Sequence, residues 1–219
     1  MELRDAFTWA YDEFYWKNPE SRSGPGSTLD YTKSLRALLP GVLRGLGVRT
    51  MLDAPCGDFH WMKEVDLSGI QYIGGDIVEK MVFELRDRYP AHEFSVVDIT
   101  KDKLPQVDLW LCRDVLIHLS NHDILKILYN FLRSGSRLLA TSHFPYNHLN
   151  GDVQSGPRAF HEVNLCHPPF GLAQPLITLP DSIPGYPARW LGIWDRAQVV
   201  AWFNVHVLVA QDGSKMLTS

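Results

Sequence analysis

MLDAPCGD, residues 51–58, is an apolar run that ends in an aspartate and continues into a glycine turn. This order is typical of a strand that delivers its backbone to a nucleotide-like ligand. Three later apolar runs also end in an aspartate: Tyr72–Ile77 (YIGGDI), Phe94–Ile99 (FSVVDI) and Val107–Asp114 (VDLWLCRD). Because the carboxyl ends of parallel strands meet at one edge of a sheet, the four acids predict a ligand site there.

Strands and helices are expected to alternate on both sides of this stretch. We predict strands at Thr50–Asp53, Tyr72–Asp76, Phe94–Ile99, VDLWLC (107–112) and Ser136–Thr141, followed by antiparallel strands at Ala188–Trp194 and Asn204–Val209. We predict helices over the N-terminal aromatic residues, from Thr28 or Asp30 through Leu39, from near Phe59, at Val78–Tyr89 and at Asp123–Leu132. The pattern predicts an α/β fold, Rossmann-like and doubly wound, with a mostly parallel sheet and an antiparallel C-terminal strand.

The chain has 219 residues, of which 45% are hydrophobic and 21% charged, as expected for one globular domain. We divide this domain into an N-terminal helical cap (1–46), a cofactor-binding core (47–144), a lid over the substrate (145–187), final strands (188–211) and a tail (212–219). The lid is predicted because residues 145–187 are rich in proline, glycine and asparagine. A long loop of this kind in a compact domain is usually functional.

The spacing of two acids indicates the kind of ligand. Asp76 lies 76 − 53 = 23 positions after Asp53. In a βαβ unit, the acid that meets a ribose is expected roughly 20 residues after the first strand. The spacing therefore favours a ligand that contains adenosine.

Over roughly residues 49–144 the chain resembles the class I S-adenosylmethionine-dependent methyltransferases, whose first motif is an acid followed by a glycine-rich turn. The resemblance implies a site whose parts are contributed in chain order. Asp53, Ala54, Pro55, Cys56 and Gly57 would wrap the methionine part, Asp76 with Ile77 would meet the ribose, Asp98 with Ile99 would hold the adenine, and Arg113 with Asp114 would lie under the sulfonium.

The chain departs from this family pattern at Pro55 and Phe59, where many members have glycine, so that Gly57 stands alone. A dinucleotide dehydrogenase is the alternative for such a motif. That class needs backbone amides close to a pyrophosphate, and Pro55 removes one amide. S-adenosylmethionine has no phosphate, so DAPCGD fits it better than it fits NAD.

A narrower resemblance covers WKNPESRSGPGS (16–27), DAPCGDFHWM (53–62), LCRDVLIHLS (111–120) and residues 150–170. These segments are similar to a bacterial and algal branch of the same methyltransferases. Arg22 lies in the first segment, where its guanidinium could reach the carboxylate of the cofactor or of an acidic acceptor. The alternative is a solvated loop arginine.

His118 and His143 are the candidate catalytic residues. His118 lies four residues after Asp114, one helical turn later, and His143 follows the fifth predicted strand. A histidine near the ligand edge could accept the proton of an alcohol as it attacks a methyl group, which favours O-methylation over N- or C-methylation. The alternative is that these histidines are buried structural residues or helix caps.

Charge and cysteine content limit the function classes. A net charge of −4 without a basic cluster argues against nucleic acid as a partner and leaves a small-molecule acceptor. Three widely spaced cysteines and the lack of a signal-peptide pattern or membrane span predict a cytoplasmic protein. We expect no metal site, since the histidines at 148, 161 and 167 lack a paired ligand spacing. The remaining alternative is a non-catalytic partner protein that retains the fold.

Overall fold

A seven-stranded mixed sheet with helices on both faces forms the centre of the molecule. The computed structural model describes residues 2–211, with side chains described through Val205. The strands are β1 Thr50–Asp53, β2 Gln71–Asp76, β3 Glu93–Val96, β4 Leu109–Cys112, β5 Leu138–His143, β6 Ile177–Pro180 and β7 Trp190–Asp195. The helices are α1 Leu3–Asp12, α2 Lys33–Gly45, α3 Glu79–Arg88, α4 Asn121–Ser134 and α5 Arg196–Gln211.

The sheet has the strand order β3-β2-β1-β4-β5-β7-β6. Strands β1 to β5 are parallel, and β7 is antiparallel to both β5 and β6. The predicted α/β class, with a mostly parallel sheet and an antiparallel C-terminal strand, is therefore confirmed. The chain order reverses between β1 and β4, which is the point where ligands bind in open α/β sheets.

Both faces of the sheet are covered, which explains why its central strands are apolar throughout. In β4, Leu109 and Leu111 pack with α2 and α3, whereas Trp110 and Cys112 pack with α4 and α5. Successive side chains of a strand point to opposite faces, so a strand buried on both sides reads as a continuous apolar run. All four residues of β4 are buried.

Two of the predicted helices differ from the structure. The helix expected from near Phe59 is only a 3-10 turn at Met62–Glu64, because Phe59 has a φ of +58°, which a right-handed helix does not accommodate. The helix expected to run from Thr28 or Asp30 through Leu39 instead spans Lys33–Gly45. Thr28 closes a preceding turn by accepting from the Tyr31 amide at 3.3 Å.

The strand predicted at Asn204–Val209 is wrong, because this stretch belongs to α5. The signal for that helix lies just before it. The Asp195 carboxylate accepts from the Gln198 amide at 2.8 Å, and the Gln198 side chain accepts from the Asp195 amide at 3.1 Å. This reciprocal pair is a capping box, which favours a helix directly after β7. The final strands expected over 188–211 therefore reduce to β7, and the tail predicted at 212–219 lies outside the described residues.

The proline-rich stretch at 145–187 is ordered by asparagines and contributes β6, which the sequence pattern did not indicate. Asn150 donates to the carbonyls of Asn164, His167 and Pro168, at 2.8, 3.2 and 2.8 Å. Its own carbonyl accepts from the Asn164 amide at 2.8 Å. These bonds fix the conformation of a segment that has no regular secondary structure.

Candidate active site

A cavity lies along the carboxyl ends of β1, β2 and β4, at the edge where the acids were predicted to meet. All but one of the twelve residues expected to bind a cofactor line it. These eleven are Arg22, Asp53, Pro55, Cys56, Gly57, Asp76, Ile77, Asp98, Ile99, Arg113 and Asp114. Ala54 does not line the cavity, since it is fully buried and its carbonyl accepts from the Trp110 indole at 2.8 Å.

Asp53 ends β1 and is held by the neighbouring strand. Its carboxylate accepts from the Tyr72 hydroxyl at 2.8 Å, and the side chain is buried. Burial raises the pKa of Asp53 to about 7, although the Tyr72 hydroxyl and the Arg113 guanidinium favour the ionised form. Asp53 is therefore a carboxyl group that titrates near neutral pH.

Asp76 ends β2 and joins it to the loop after β1. One carboxylate oxygen accepts from the Gly57 amide at 3.0 Å and the other from the Val78 amide at 3.1 Å. Burial raises the pKa of Asp76 to about 6, with these amides acting in the opposite direction. A carboxylate has about four acceptor positions, so Asp76, which lines the cavity, retains acceptor capacity.

Asp98 lies two residues beyond β3, and local bonds fix it. It accepts from the Thr100 amide and hydroxyl at 3.0 and 2.6 Å and pairs with Lys101 at 3.2 Å. Ile77 and Ile99 lie beside these acids and provide apolar surface. The β2 and β3 end of the cavity thus combines hydrogen-bond acceptors with aliphatic walls.

Arg113 and Asp114 follow β4 and belong to a cluster of charges that is largely buried. Arg113 donates from Nε and Nη2 to Asp181, with distances of 2.7–3.2 Å, and from Nη2 to the Gly26 carbonyl at 2.7 Å. Asp114, whose φ is +60°, accepts from Arg189. Burial alone would raise the pKa of Asp114, but the Arg189 and Arg113 guanidiniums hold it below its ordinary value.

His118 lines the cavity, and the environment fixes its tautomer. Its Nδ1 lies 2.6 Å from the Ala159 carbonyl, so this nitrogen carries the proton and donates. Nε2 has no hydrogen-bond partner among the described side chains and backbone. Burial lowers the pKa of His118, which keeps the ring neutral and Nε2 available as an acceptor at neutral pH.

His143 does not line the cavity, contrary to its predicted position at the ligand edge. It is buried against the Trp194 indole at a centroid distance of 5.6 Å, and its Nδ1 accepts from the Leu165 amide at 3.4 Å. Burial, with a smaller effect of His167, lowers its pKa to about 4. Its contacts are those of a neutral core histidine.

The cover of the cavity comes from the N-terminus rather than from residues 145–187. Seven residues of the first 27 line it: Leu3, Phe7, Tyr11, Trp16, Arg22, Ser23 and Ser27. The segment predicted as a lid contributes no side chain to this lining within the described part of the chain. It contacts the site through two hydrogen bonds, in which the Ala159 carbonyl accepts from His118 and the Asp181 carboxylate accepts from Arg113.

Sequence reasoning missed Trp16, Ser23, Asp181 and Arg189. Trp16 and Ser23 belong to WKNPESRSGPGS, one of the segments that carry the narrower resemblance. Within this segment a role was predicted only for Arg22. Asp181 and Arg189 follow β6 and precede β7, and no local pattern distinguishes them from surface charges. Only their burial, at 1% and 4% exposed, reveals them.

Gly57 forms the tightest point of the loop after β1. Its φ is +56°, and a Cβ there would lie 2.3 Å from the Ser23 hydroxyl oxygen. Phe59, at the other position where glycine is common, keeps a positive φ despite its side chain. Its ring packs against those of Tyr72, Tyr89 and Phe94 at centroid distances of 5.0–5.4 Å.

Across the part of the chain that the structure describes, no cluster of three or more histidine, cysteine or acidic residues is placed to hold a metal ion. Over the same residues no helix has the length and apolar character needed to cross a bilayer.

No protein-family model matches the chain, and a search of curated protein sequences finds no match. Solved structures do match. Magnesium protoporphyrin IX methyltransferase from Synechocystis PCC 6803, with bound SAH, has a TM-score of 0.61 at 20% identity, covering 87% of this chain and 97% of its own. The 1,6-didemethyltoxoflavin-N1-methyltransferase from Burkholderia thailandensis, with bound S-adenosylhomocysteine, has a TM-score of 0.59 at 17% identity, covering 88% of this chain and 86% of its own.

The methyltransferase domain of bacterial CtHen1-C matches with a TM-score of 0.54 at 13% identity, over 75% of this chain and 98% of its own. The similarity in each case is one of architecture. The chain therefore has the fold of the class I S-adenosylmethionine-dependent methyltransferases, which confirms the fold expected from DAPCGD and the acids.

Proposed function

We propose that this protein is an S-adenosylmethionine-dependent methyltransferase that methylates an oxygen atom of a small-molecule acceptor. The observation that carries the proposal is the cavity at the carboxyl edge of the sheet, where Asp53, Asp76, Asp98 and Asp114 meet. A partner protein that had only kept the fold would have no need for such an opening.

The residues around the cavity fit the cofactor part by part. Asp76 retains acceptor capacity for two ribose hydroxyls, and Asp98 with Ile99 offers a polar and an apolar contact to an adenine. Gly57 and Pro55 leave a narrow turn for the methionine chain, with Arg22 and Arg113 as its nearby cations. The bound cofactor would supply a methyl group on an electrophilic sulfonium.

The protein would contribute alignment and one proton acceptor. His118 presents an unprotonated Nε2 to the cavity because Ala159 holds its Nδ1–H. An acceptor hydroxyl that hydrogen-bonds to Nε2 would transfer its proton there as the oxygen attacks. The Phe7 and Trp16 rings, whose centroids lie 6.3 and 6.0 Å from that of the His118 ring, would limit access of water to this nitrogen.

A small acceptor is favoured by the way in which the N-terminal residues close over the site. The two matched methyltransferases from Synechocystis and Burkholderia carry names that specify low-molecular-weight acceptors. The net charge of −4 provides no surface for a polyanion. We place the protein in the cytoplasm, in keeping with three free cysteines.

Calorimetry with S-adenosylmethionine, S-adenosylhomocysteine and NAD tests the cofactor. Binding should raise the free energy of unfolding by about 2.7 kcal/mol at a ligand concentration 100 times the dissociation constant. We expect this shift with both adenosyl compounds and not with NAD. Heat and a thermal shift with NAD alone would contradict the proposal.

Transfer of a labelled methyl group from S-adenosylmethionine to a metabolite extract tests the role of His118. His118→Asn should lower the rate by about 10²- to 10⁴-fold and leave cofactor binding intact. Because burial lowers the pKa of His118, activity should decline only at a pH more acid than the one at which an ordinary histidine becomes protonated. His122→Asn, at an exposed position on α4, is the matched control.

Full activity of His118→Asn would move the proposal toward an amine acceptor. Cofactor binding without transfer to any compound would favour a non-catalytic partner protein.

A further inference from the structure

Four charged side chains form one connected cluster at the wall of the cavity: Arg113, Asp181 and Arg189, which are buried, and Asp114, which is partly exposed. Arg113 pairs with Asp181 at 2.7 Å, and Arg189 pairs with both Asp181, at 3.1 Å, and Asp114. Two cations and two anions balance in net charge. Removing these charges from water costs free energy unless each one is paired. Because the cluster lies at the cavity, a role in ligand binding would explain this cost.

Arg113 and Arg189 each have one guanidinium nitrogen without a partner among the described residues, but of the two only Arg113 lines the cavity. A guanidinium has five N–H groups. The Asp181 carboxylate accepts from Nε and from Nη2 of Arg113. The Gly26 carbonyl also accepts from Nη2, at 2.7 Å. Nη1 has no hydrogen-bond partner among the described residues, although Arg113 is only 5% exposed and lines the cavity.

The place of Arg113 in the sheet indicates which part of a ligand it meets. β1 and β4 are neighbours, with Asp53 in register with Leu111, so Arg113 lies beside the loop that follows β1. Asp76 and Asp98, with their acceptor oxygens, lie on the other side of β1. A ligand whose adenosine meets those two acids would bring its opposite end to Arg113.

We propose that Arg113 binds the carboxylate of the cofactor's methionine part through Nη1, and that Asp181 is the positioning residue that aims it. The inference rests on the proposed function. A guanidinium nitrogen with two free N–H groups suits a carboxylate oxygen, and a buried cation has few other ways to complete its bonding.

Asp181 is suited to this role because the sheet edge fixes it. It follows β6, and its amide donates to the Arg189 carbonyl at 3.0 Å, which continues the pairing of Pro180 with Trp190. Arg189 Nε donates back to the Asp181 carbonyl at 3.1 Å. The carboxylate therefore holds the Nε and Nη2 side of Arg113 from backbone that is fixed at the sheet edge, and it leaves Nη1 without a partner.

Paired binding measurements on Asp181→Asn test the proposal. S-adenosylhomocysteine carries the carboxylate, whereas 5′-methylthioadenosine keeps the nucleoside and lacks the amino-acid part. We expect Asp181→Asn to weaken S-adenosylhomocysteine by about tenfold and methylthioadenosine by less than about twofold. A purely structural role would weaken both ligands alike.

Asp108→Asn is the matched control. Asp108 accepts from the Arg49 and Thr50 amides at 2.8 and 2.9 Å, near the opposite, amino end of β1. Its loss should lower stability and leave the ratio of the two affinities unchanged. Asp181→Glu, which keeps the charge, should recover part of the ratio, and it replaces Asp181→Asn as the test if that variant does not unfold cooperatively.

The outcomes separate the two proposals. A wild-type protein that binds neither ligand would remove the proposed function. A wild type that binds both, together with a folded Asp181 variant whose affinity ratio matches the wild type, would overturn the role of Asp181.

Discussion

The four acids at the carboxyl edge look alike in the sequence, yet each has a different environment. A hydroxyl of the adjacent strand holds Asp53, two backbone amides hold Asp76, Thr100 and Lys101 hold Asp98, and Arg189 holds Asp114. Their acidities diverge accordingly. The pKa rises for Asp53 and Asp76 and falls for Asp114.

Replacement of Asp76 tests its role as the ribose acceptor. Asp76→Ala should weaken S-adenosylhomocysteine binding by about 1.5–3 kcal/mol, because two hydroxyls lose a charged acceptor. In the wild type, affinity should fall as the pH drops through about 6, where the carboxylate becomes protonated. Calorimetry between pH 5 and 8 measures both effects.

Asp76→Asn keeps the size of the side chain and should bind weakly at every pH in that range. Asp87→Ala, exposed near the end of α3, should behave as the wild type. An affinity that stays constant with pH in the wild type would show that Asp76 does not receive the ribose hydroxyls.

At the scale of elements, the contact that shapes the site joins the N-terminal segment to the loop after β1. We name residues 20–29 the clasp. The Asp58 carboxylate accepts from the Ser21 hydroxyl at 2.9 Å and the Arg22 amide at 2.8 Å, and the Asp58 amide donates to the Ser23 hydroxyl at 3.0 Å. The clasp also brings the Glu20 carboxylate to within 2.9 Å of His60 Nε2.

Asp58→Ala should release the clasp. Loss of the bonds to Ser21 and Arg22 should speed hydrogen exchange of the amides in residues 21–24, and the affinity for S-adenosylhomocysteine should drop, since Arg22 and Ser23 line the cavity. Exchange measured by mass spectrometry checks the first effect and calorimetry the second. Asp66→Ala, at an exposed ion pair with Arg44, is the control.

Exchange in residues 21–24 that remained as slow as in the wild type would mean that packing of Trp16 against Gly24, rather than Asp58, holds the clasp.

At the scale of the whole molecule, burial of Asp53 makes the free energy of unfolding depend on pH. Between the ordinary pKa of an aspartate and about 7, the folded protein keeps Asp53 protonated, whereas the unfolded chain does not. The folded state therefore binds more protons in this range. The contribution of Asp53 to the free energy of unfolding must fall as the pH rises from about 4 to 7.

Asp53→Asn isolates this contribution, because the amide oxygen can still accept from Tyr72 and cannot ionise. Relative to the wild type, the variant should gain stability steadily as the pH rises from 4 to 7. Urea unfolding at several pH values in the absence of ligand measures the difference. Two curves that run parallel across this range would contradict the raised pKa.

Much of the fold follows from local pattern. The apolar runs of β1, β2 and β4 and the amphipathic helices α3 and α4 were predictable, because a two-sided sheet requires apolar strands and each helix requires one apolar face. The edges of the sheet were harder. β6 is short and proline-bounded, and residues 204–209 of α5 were mistaken for a strand because their alternating valines have high strand propensity.

The candidate site, like the fold, was predictable from local pattern only in part. DAPCGD and the serial aspartates sufficed to predict the edge of the sheet at which the cavity lies, because parallel strands bring their carboxyl ends together whatever the details of packing. The partners of those acids depend on side chains distant in sequence: Asp181 lies 68 residues from Arg113, and Ser23 lies 35 from Asp58. Local residue patterns do not encode such pairs. They arise only when the helices packed on the sheet and the N-terminal cover exclude water, so that each buried charge must find a partner, and only the tertiary structure decides which one.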